Sequence, residues 1–219
     1  MEKRTVKIGT YDTAANGWTL TGCVLNSPEM KQTYVEKFGG DGSWDLSTVL
    51  TNGVPKYKDR TLVVTLECSE GDREKREEKI NEMVNQLDGM KWNIVLPDRP
   101  DHYLVGRVSI AIGYSDLAHA QVTITGTCEP WLYRERETLY SEYATPQLEV
   151  LRLRNAGRKV VIPIIAVGGT VTLTYQGKST TLTAGTYEWA ELLLSPGIHE
   201  LWYTGSGQLN VVFREAVLR

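Results

Sequence analysis

The fold of this chain is decided by residues 70–114, which read EGDREKREEKINEMVNQLDGMKWNIVLPDRPDHYLVGRVSIAIGY. The first part predicts a helix, because apolar side chains recur at the spacing of one helix face: Ile80, Met83, Val84 and Leu87. Ser69 lies three residues before Asp72, as in a capping pair, and Gly89 supplies the left-handed residue that ends the helix. The sequence therefore predicts an amphipathic helix with a single apolar stripe.

After Gly89 the apolar residues alternate, and this pattern predicts a long strand. One face carries Leu104, Val108, Ile110, Ile112 and Tyr114, and the other carries Arg107, Ser109 and Ala111. A helix with one apolar stripe has to cover that stripe against another element, and the strands on both sides of it supply a sheet. We therefore expect a surface helix over a sheet, without catalytic groups in this stretch.

Bulk composition is that of a globular protein and argues against several function classes. The chain has 219 residues, 41% hydrophobic and 23% charged, enough for one large β domain or two modest ones. A formal net charge of −3 does not favour stable nucleic-acid binding. No apolar run reaches the ~18 residues of a membrane helix, and the first residues alternate like a strand, so we expect neither membrane insertion nor a signal peptide.

The three cysteines predict free thiols and not a disulfide framework. Cys23, Cys68 and Cys128 are odd in number, far apart, and each falls within or at the end of an expected strand. A chain of this length needs no covalent staple. We expect buried thiols in a protein that folds in a reducing cytoplasm.

The first half of the chain predicts about six strands and one helix, arranged as an α+β layer or split barrel. Besides the alternating strand after the helix, strands are expected at residues 5–11, 18–26, 60–68 and 118–128. Residues 30–38 are more polar and predict a weaker edge strand.

Residues 39–60 form a long, glycine-rich excursion between two of these strands. Connections of this length are functional or disordered, and its apolar side chains argue against disorder: Trp44, Leu46, Val49, Leu50 and Tyr57. The segment therefore suggests an element that grips a neighbouring subunit. The alternative is a loop that folds back on its own domain.

The second half of the chain predicts a small β-sandwich. Residues 134–147 are charged and lack a period, so they suggest a linker between an N-terminal domain, residues 1–133, and a C-terminal domain, residues 148–219. After this linker, short strands are separated by turn signals, including one at Gly205-Ser206-Gly207. The expected fold class is thus mainly β, with a small β-sandwich at the end.

No pattern of catalytic or metal-binding residues emerges. His102, His119 and His199 have no partner at metal-ligand spacing, and nucleophile and phosphate-loop motifs are missing, so neither an enzyme, a metal nor a cofactor is expected. Aromatic side chains near the C-terminus could stack on sugar rings, although aromatics in sandwiches are mostly core. These candidate sugar contacts are Tyr187, Trp189, Trp202 and Tyr203.

Several motifs resemble the distal tail protein family of bacteriophages with long, non-contractile tails and of related prophages. Residues 40–60 are similar to a family pattern of Asp-Gly, Asp-Leu-Ser/Thr and a Tyr closely followed by Arg, here Asp41, Gly42, Asp45, Leu46, Ser47, Tyr57 and Arg60. In the same order follow a helix ending in Leu-Asp-Gly, a Pro-Asp turn with Gly-Arg, a Cys-Glu-Pro-Trp-Leu-Tyr segment, and the closing VVFREAVL. The matches cover the first domain almost continuously and the second thinly.

The resemblance implies a structural virion protein of the tail tip or baseplate hub, made in the host cytoplasm, with a galectin-like or jelly-roll-like sandwich as its second domain. The first domain would form a belt, and six copies would close into a ring that joins the tail tube protein to the tail-tip protein and the receptor-binding protein. Candidate ring-interface residues are Asp41, Trp44, Asp45, Leu46, Tyr57 and Arg60. Six copies would carry a charge of about −18, which suits a lumen through which DNA slides. Alternatives are a tail tube protein, a carbohydrate-binding module for host adhesion and, with least support, a hydrolase.

Overall fold

A computed structural model describes residues 4–51, 53–68, 70–114 and 120–219 of the chain. The chain divides into two compact units, Met1–Pro130 together with Leu218–Arg219, and Trp131–Val217. The predicted cap residue Ser69, His119, and the first two residues of the strand expected at 118–128 lie outside the described residues. No helix in the described ranges is long and apolar enough to cross a membrane.

The first unit is an antiparallel sheet with one helix. Its elements are β1 (Lys7–Ile8), β2 (Tyr11–Asp12), β3 (Thr19–Leu25), β4 (Tyr34–Glu36), β5 (Ser43–Asp45), β6 (Arg60–Cys68), α1 (Arg73–Leu87), β7 (Lys91–Leu96), β8 (Arg99–Tyr114) and β9 (Ala120–Cys128). Hydrogen bonds order the sheet as β2-β1-β7-β8-β9-β6-β3, while β4 and β5 form a separate pair. The predicted helix and the long strands are therefore confirmed, whereas residues 5–11, expected as one strand, are divided between β1 and β2, which pair with each other.

Helix α1 begins and ends where its sequence provides caps. The carboxylate of Asp72 accepts a hydrogen bond from the backbone N–H of Glu74 at 3.0 Å, which satisfies a donor that the first helical turn leaves free. At the other end Gly89 has φ +71°, and its N–H donates to the carbonyl of Val108 on β8. The stripe buries Ile80, Met83 and Leu87, as expected, together with Arg76.

The apolar face of β8 is covered over only part of its length. Leu104 and Val108 are buried, whereas Ile110 is half-buried and Ile112 is exposed. A helix of 15 residues spans about 22 Å, whereas the 16 residues of β8 extend for about 50 Å. Helix α1 is thus shorter than β8, and the apolar alternation of the strand continues beyond the part of it that is buried.

The second unit is a β-sandwich. Its strands are β10 (Leu132–Arg134), β11 (Thr138–Ala144), β12 (Glu149–Asn155), β13 (Ile164–Val167), β14 (Thr170–Tyr175), β15 (Lys178–Leu182), β16 (Gly185–Glu188), β17 (Gly197–Phe213) and β18 (Ala216–Val217). The first part of β17 pairs with β12 and β14, and its second part pairs with β11 and β13. One strand thus contributes to both layers, and the buried side chains between them form the core.

Strand β17 changes layers at a glycine kink. Gly205 has φ +142° and Gly207 has φ +101°, conformations that a residue with a Cβ adopts only with strain. The backbones also approach closely, because a Cβ on Gly205 would lie 2.2 Å from the carbonyl oxygen of Thr170. The turn predicted at Gly205-Ser206-Gly207 is therefore a bend inside a continuous strand.

The linker expected at residues 134–147 was predicted without regular structure, and this is wrong, because half of the segment forms strand β11. It pairs along its whole length with β17, from Thr138 opposite Phe213 to Ala144 opposite Gly207. Only Ala144 is buried, and the Tyr140 ring stacks on Phe213 with 6.1 Å between centroids. Backbone pairing holds the strand, so a mostly exposed, charged segment needs no apolar alternation to be one.

All three cysteines are free thiols. Cys68 and Cys128 are buried as expected, whereas Cys23 is only half-buried. Burial raises the pKa of the Cys128 thiol to about 11, so it stays protonated and unreactive at neutral pH.

Candidate functional site

The strongest functional feature of the first unit is an arm formed by residues 26–59. Its two legs are joined near the base, where Lys31 N–H donates to the Lys56 carbonyl and Lys58 N–H donates to the Glu29 carbonyl, each at 2.8 Å. Further out, β4 and β5 pair with Val35 opposite Trp44. None of the described residues in the arm is buried. The long excursion is thus an ordered hairpin that lacks a core of its own.

Local hydrogen bonds give the arm its shape. Asp45 accepts from the N–H of Ser47 at 2.9 Å, and the Ser47 hydroxyl accepts from the N–H of Thr33 at 2.9 Å. The hydrogen bonds from Ser47 lower the pKa of the Asp45 carboxyl. Gly39 and Gly42 have positive φ at the tip, where Asp41 is exposed. Asp45 and Ser47 therefore fix the fold of the arm, and Asp41 stays free at its end.

Many apolar side chains of the arm are exposed to solvent in the single chain. Trp44 is 54% exposed and Leu50 is 97% exposed. Further exposed members are Tyr34, Val35, Phe38, Leu46, Val49 and Val54. Exposed apolar side chains concentrated in this way are typical of interaction surfaces.

Phe38 is fully exposed at the arm tip, and sequence reasoning missed it. An aromatic side chain directly before Gly39-Gly40 was the available signal, since a core aromatic rarely borders two residues without side chains.

Arg60, one of the candidate ring-interface residues, does not belong to the exposed surface of the arm. Its side chain lies at the root of the arm and the residue is only 4% exposed. The guanidinium Nη1 donates to the carbonyl of Leu218 at 2.9 Å, while Nε and Nη2 have no hydrogen-bond partner among the described residues. Burial lowers the pKa of this guanidinium. Arg60 thus anchors the start of β6 to the end of the chain.

The four aromatic residues considered for sugar contact do not form one cluster. Tyr203 is buried, with its O–H donating to the Glu149 carboxylate at 2.8 Å, and Trp189 packs half-buried against the core. Tyr187 lies on β16 in the other layer from the first part of β17. Only Trp202 presents its ring to solvent. These four residues therefore do not share one surface, since the alternation of β17 sends Tyr203 inward and Trp202 outward.

We expect Tyr203→Phe to flatten the loss of stability at alkaline pH. Burial and the hydrogen bond to Glu149 raise the pKa of Tyr203 to about 12, against about 10 for a free phenol. The unfolded chain releases this proton near pH 10 and the folded chain releases it near pH 12. The contribution is therefore complete below about pH 10 and falls as pH rises through this window.

Urea unfolding at several pH values between about 9 and 12 measures this effect. Tyr11, whose pKa burial also raises to about 12, remains in both proteins as an internal reference. Identical pH slopes for the wild type and Tyr203→Phe would contradict the assignment.

No group of three or more His, Cys, Asp or Glu among the described residues is placed to hold a metal ion. The Nδ1 atom of the half-buried His102 lies 2.8 Å from the carboxylate of the exposed Asp101. His199 contacts the Tyr175 hydroxyl and the Ser195 carbonyl, both at 2.7 Å. These histidines have structural partners.

The fold and the arm together define a mainly β protein of two units, whose most exposed apolar side chains lie on one ordered hairpin. Over 98% of its length this chain is similar in structure to 99% of SPP1 Dit (gp 19.1), whose crystal structure is described as a paradigm of the hub adsorption apparatus in phages that infect Gram-positive bacteria. The TM-score is 0.72 and the sequence identity is 15%. No family model matches the chain, and no curated protein does. The likeness confirms the fold class expected from the sequence.

Proposed function

We propose that this protein is a distal tail protein, a structural component of a phage or prophage tail. The observation that carries the proposal is the fold likeness to SPP1 Dit, which extends over nearly the whole of both chains. The sequence motifs in residues 40–60 support the same family independently of the fold. Both units and the arm are therefore explained by one function.

The proposed assembly is a closed ring of six copies. In a ring, one surface of each copy grips a different surface of the next, so every contact is heterologous. The arm suits this role, since it extends from the root at Arg60 and carries Trp44 and Leu50 exposed. Packing these side chains against the next copy removes apolar area from water, at about 25 cal/mol for each Å².

Such a ring joins the tail tube protein on one face to the tail-tip protein and the receptor-binding protein on the other. Its lumen has to pass DNA without retaining it. A net charge of −3 for each copy repels phosphates, and no membrane insertion is involved. The protein would act in the virion, after assembly in the host cytoplasm.

Native mass spectrometry of the purified chain tests this proposal. We expect a discrete species at six times the chain mass of 24.6 kDa. It should persist at high salt, because apolar burial is not screened as exposed ion pairs are. A ladder of lengthening tubes would favour a tail tube protein instead. Monomer alone, at every concentration, would contradict a ring that forms without partners.

A further inference from the structure

Trp202 is an exposed indole in the middle of a sheet, on the outer face of the second unit. It lies on the first part of β17, flanked by Val150 on β12 and Thr174 on β14. Its neighbours in sequence, Leu201 and Tyr203, point inward and are buried, while Trp202 is 41% exposed. Packing in the core therefore does not explain why a tryptophan occupies this position.

The surroundings of Trp202 are rich in hydroxyl groups. The oxygens of Thr174 and Ser179 lie 2.8 Å apart on one side of it, and those of Thr172 and Thr181 lie 2.9 Å apart in the adjacent row. Each hydroxyl in such a pair keeps a free lone pair that can accept a further hydrogen bond. A flat aromatic surface thus borders a ladder of neutral polar groups.

The charges beside Trp202 cancel each other. Glu200, two residues before it on the same face, lies opposite Arg152, and their Oε1 and Nε atoms are 3.4 Å apart. A shallow depression of about 550 Å³ is lined by Trp202, Thr174, Gln176 and Glu200 among others. This volume is that of a small-molecule site, since such sites measure about 300–1,000 Å³.

These features select the chemistry of the ligand. A pyranose has one face of C–H groups, which stacks on an indole, and a rim of hydroxyls, which both donate and accept hydrogen bonds. Balanced charges give no advantage to phosphate or to a cationic group. The apolar side chains of this face, Val150, Ile198 and Trp202, are interrupted by the Arg152–Glu200 pair, so they do not form the continuous patch of a protein interface.

We propose that the outer face of this sheet, centred on Trp202, is a binding site for a neutral saccharide. The ring of Trp202 supplies the stacking platform, Thr174 and Gln176 supply hydrogen bonds on one side, and Glu200 accepts from sugar hydroxyls on the other. An open depression with one aromatic platform binds weakly, with a dissociation constant of millimolar order. The proposal concerns the second unit alone, and it stands whether or not the first unit forms a ring.

Saturation-transfer difference NMR on the full chain tests the site. The probes are glucose, galactose, N-acetylglucosamine and their β1,4-linked disaccharides, each titrated into the millimolar range. We expect a saturable signal for at least one probe. Trp202→Ala should raise its dissociation constant at least about tenfold, because an aromatic stack is worth about 1.4 kcal/mol. Thr174→Val should raise it about threefold.

The control variant is Tyr143→Ala, which removes an exposed aromatic ring from β11 in the other layer and should leave binding unchanged. Trp202→Thr repeats the test with a good strand former, so that loss of the ring is separated from loss of the sheet. Thermal unfolding verifies that each variant is folded. The proposal is overturned if no probe gives a saturable signal, or if folded Trp202→Ala or Trp202→Thr binds as the wild type does.

Discussion

Replacing Trp44 with alanine is expected to weaken assembly by a factor of about 30 while leaving the fold of the single chain intact. Truncating a tryptophan at the centre of an interface costs about 2 kcal/mol or more, and 2 kcal/mol corresponds to about a thirtyfold change in affinity. Within the chain, Trp44 is 54% exposed and lies on an arm in which no described residue is buried. Its loss therefore removes little that stabilises the monomer.

Sedimentation over a range of concentrations measures the assembly, and thermal unfolding of the dissociated chain measures the fold. Met90→Ala is the matched control, because Met90 is an equally exposed apolar residue of the first unit outside the arm. A large drop in the melting temperature of monomeric Trp44→Ala would show that Trp44 supports its own chain. Equal effects of Trp44→Ala and Met90→Ala on assembly would show that the arm is not part of the interface.

Gly205→Val is expected to disrupt the second unit, with a cost of at least about 3 kcal/mol. Two causes combine at this position. A Cβ would lie 2.2 Å from the carbonyl oxygen of Thr170, which belongs to a paired strand and has little room to move. In addition, φ of +142° is strained for any β-branched residue.

Gly177→Ala separates the two causes, because Gly177 also has a positive φ, +80°, but no atom lies within 4 Å of its Cβ position. This control should cost only about 1 kcal/mol. Urea unfolding, followed by the fluorescence of the tryptophans, gives both values. Equal costs for Gly205→Val and Gly177→Ala would mean that β17 tolerates a wider separation from β14 and that the kink is not tightly packed.

The sequence predicted the elements whose signals are local. The stripe of Ile80, Met83 and Leu87 set the helix, and Gly89 set its end. Strong alternation gave β6 and β9 nearly to the residue. These predictions are correct because each of these elements buries one face, and the period of the apolar residues shows which face that is.

Elements held by backbone pairing alone escaped prediction. Strand β11 has one buried residue and β5 has none, so neither segment carries an apolar period. Strand β4, which also has no buried residue, was expected only as part of a weaker edge strand at residues 30–38. The hydrogen bonds of Arg60 and Tyr203 are made with partners far along the chain, Leu218 and Glu149. Separations of this size leave no trace in a local window. The exposed apolar content of residues 39–60 did predict the arm as a surface for contact, a role that remains a proposal.

The pairing of β10 with β18 has a consequence for the exchange of whole domains in such a protein. Leu132 lies opposite Val217, so the two ends of the second unit are close together in space although they are far apart in sequence. The first unit is completed by Leu218, whose carbonyl accepts from Arg60. The sandwich is therefore an insertion between two neighbouring attachment points. Any module whose own ends meet can take its place without rerouting the chain of the first unit, so the second unit can be exchanged while the first is kept.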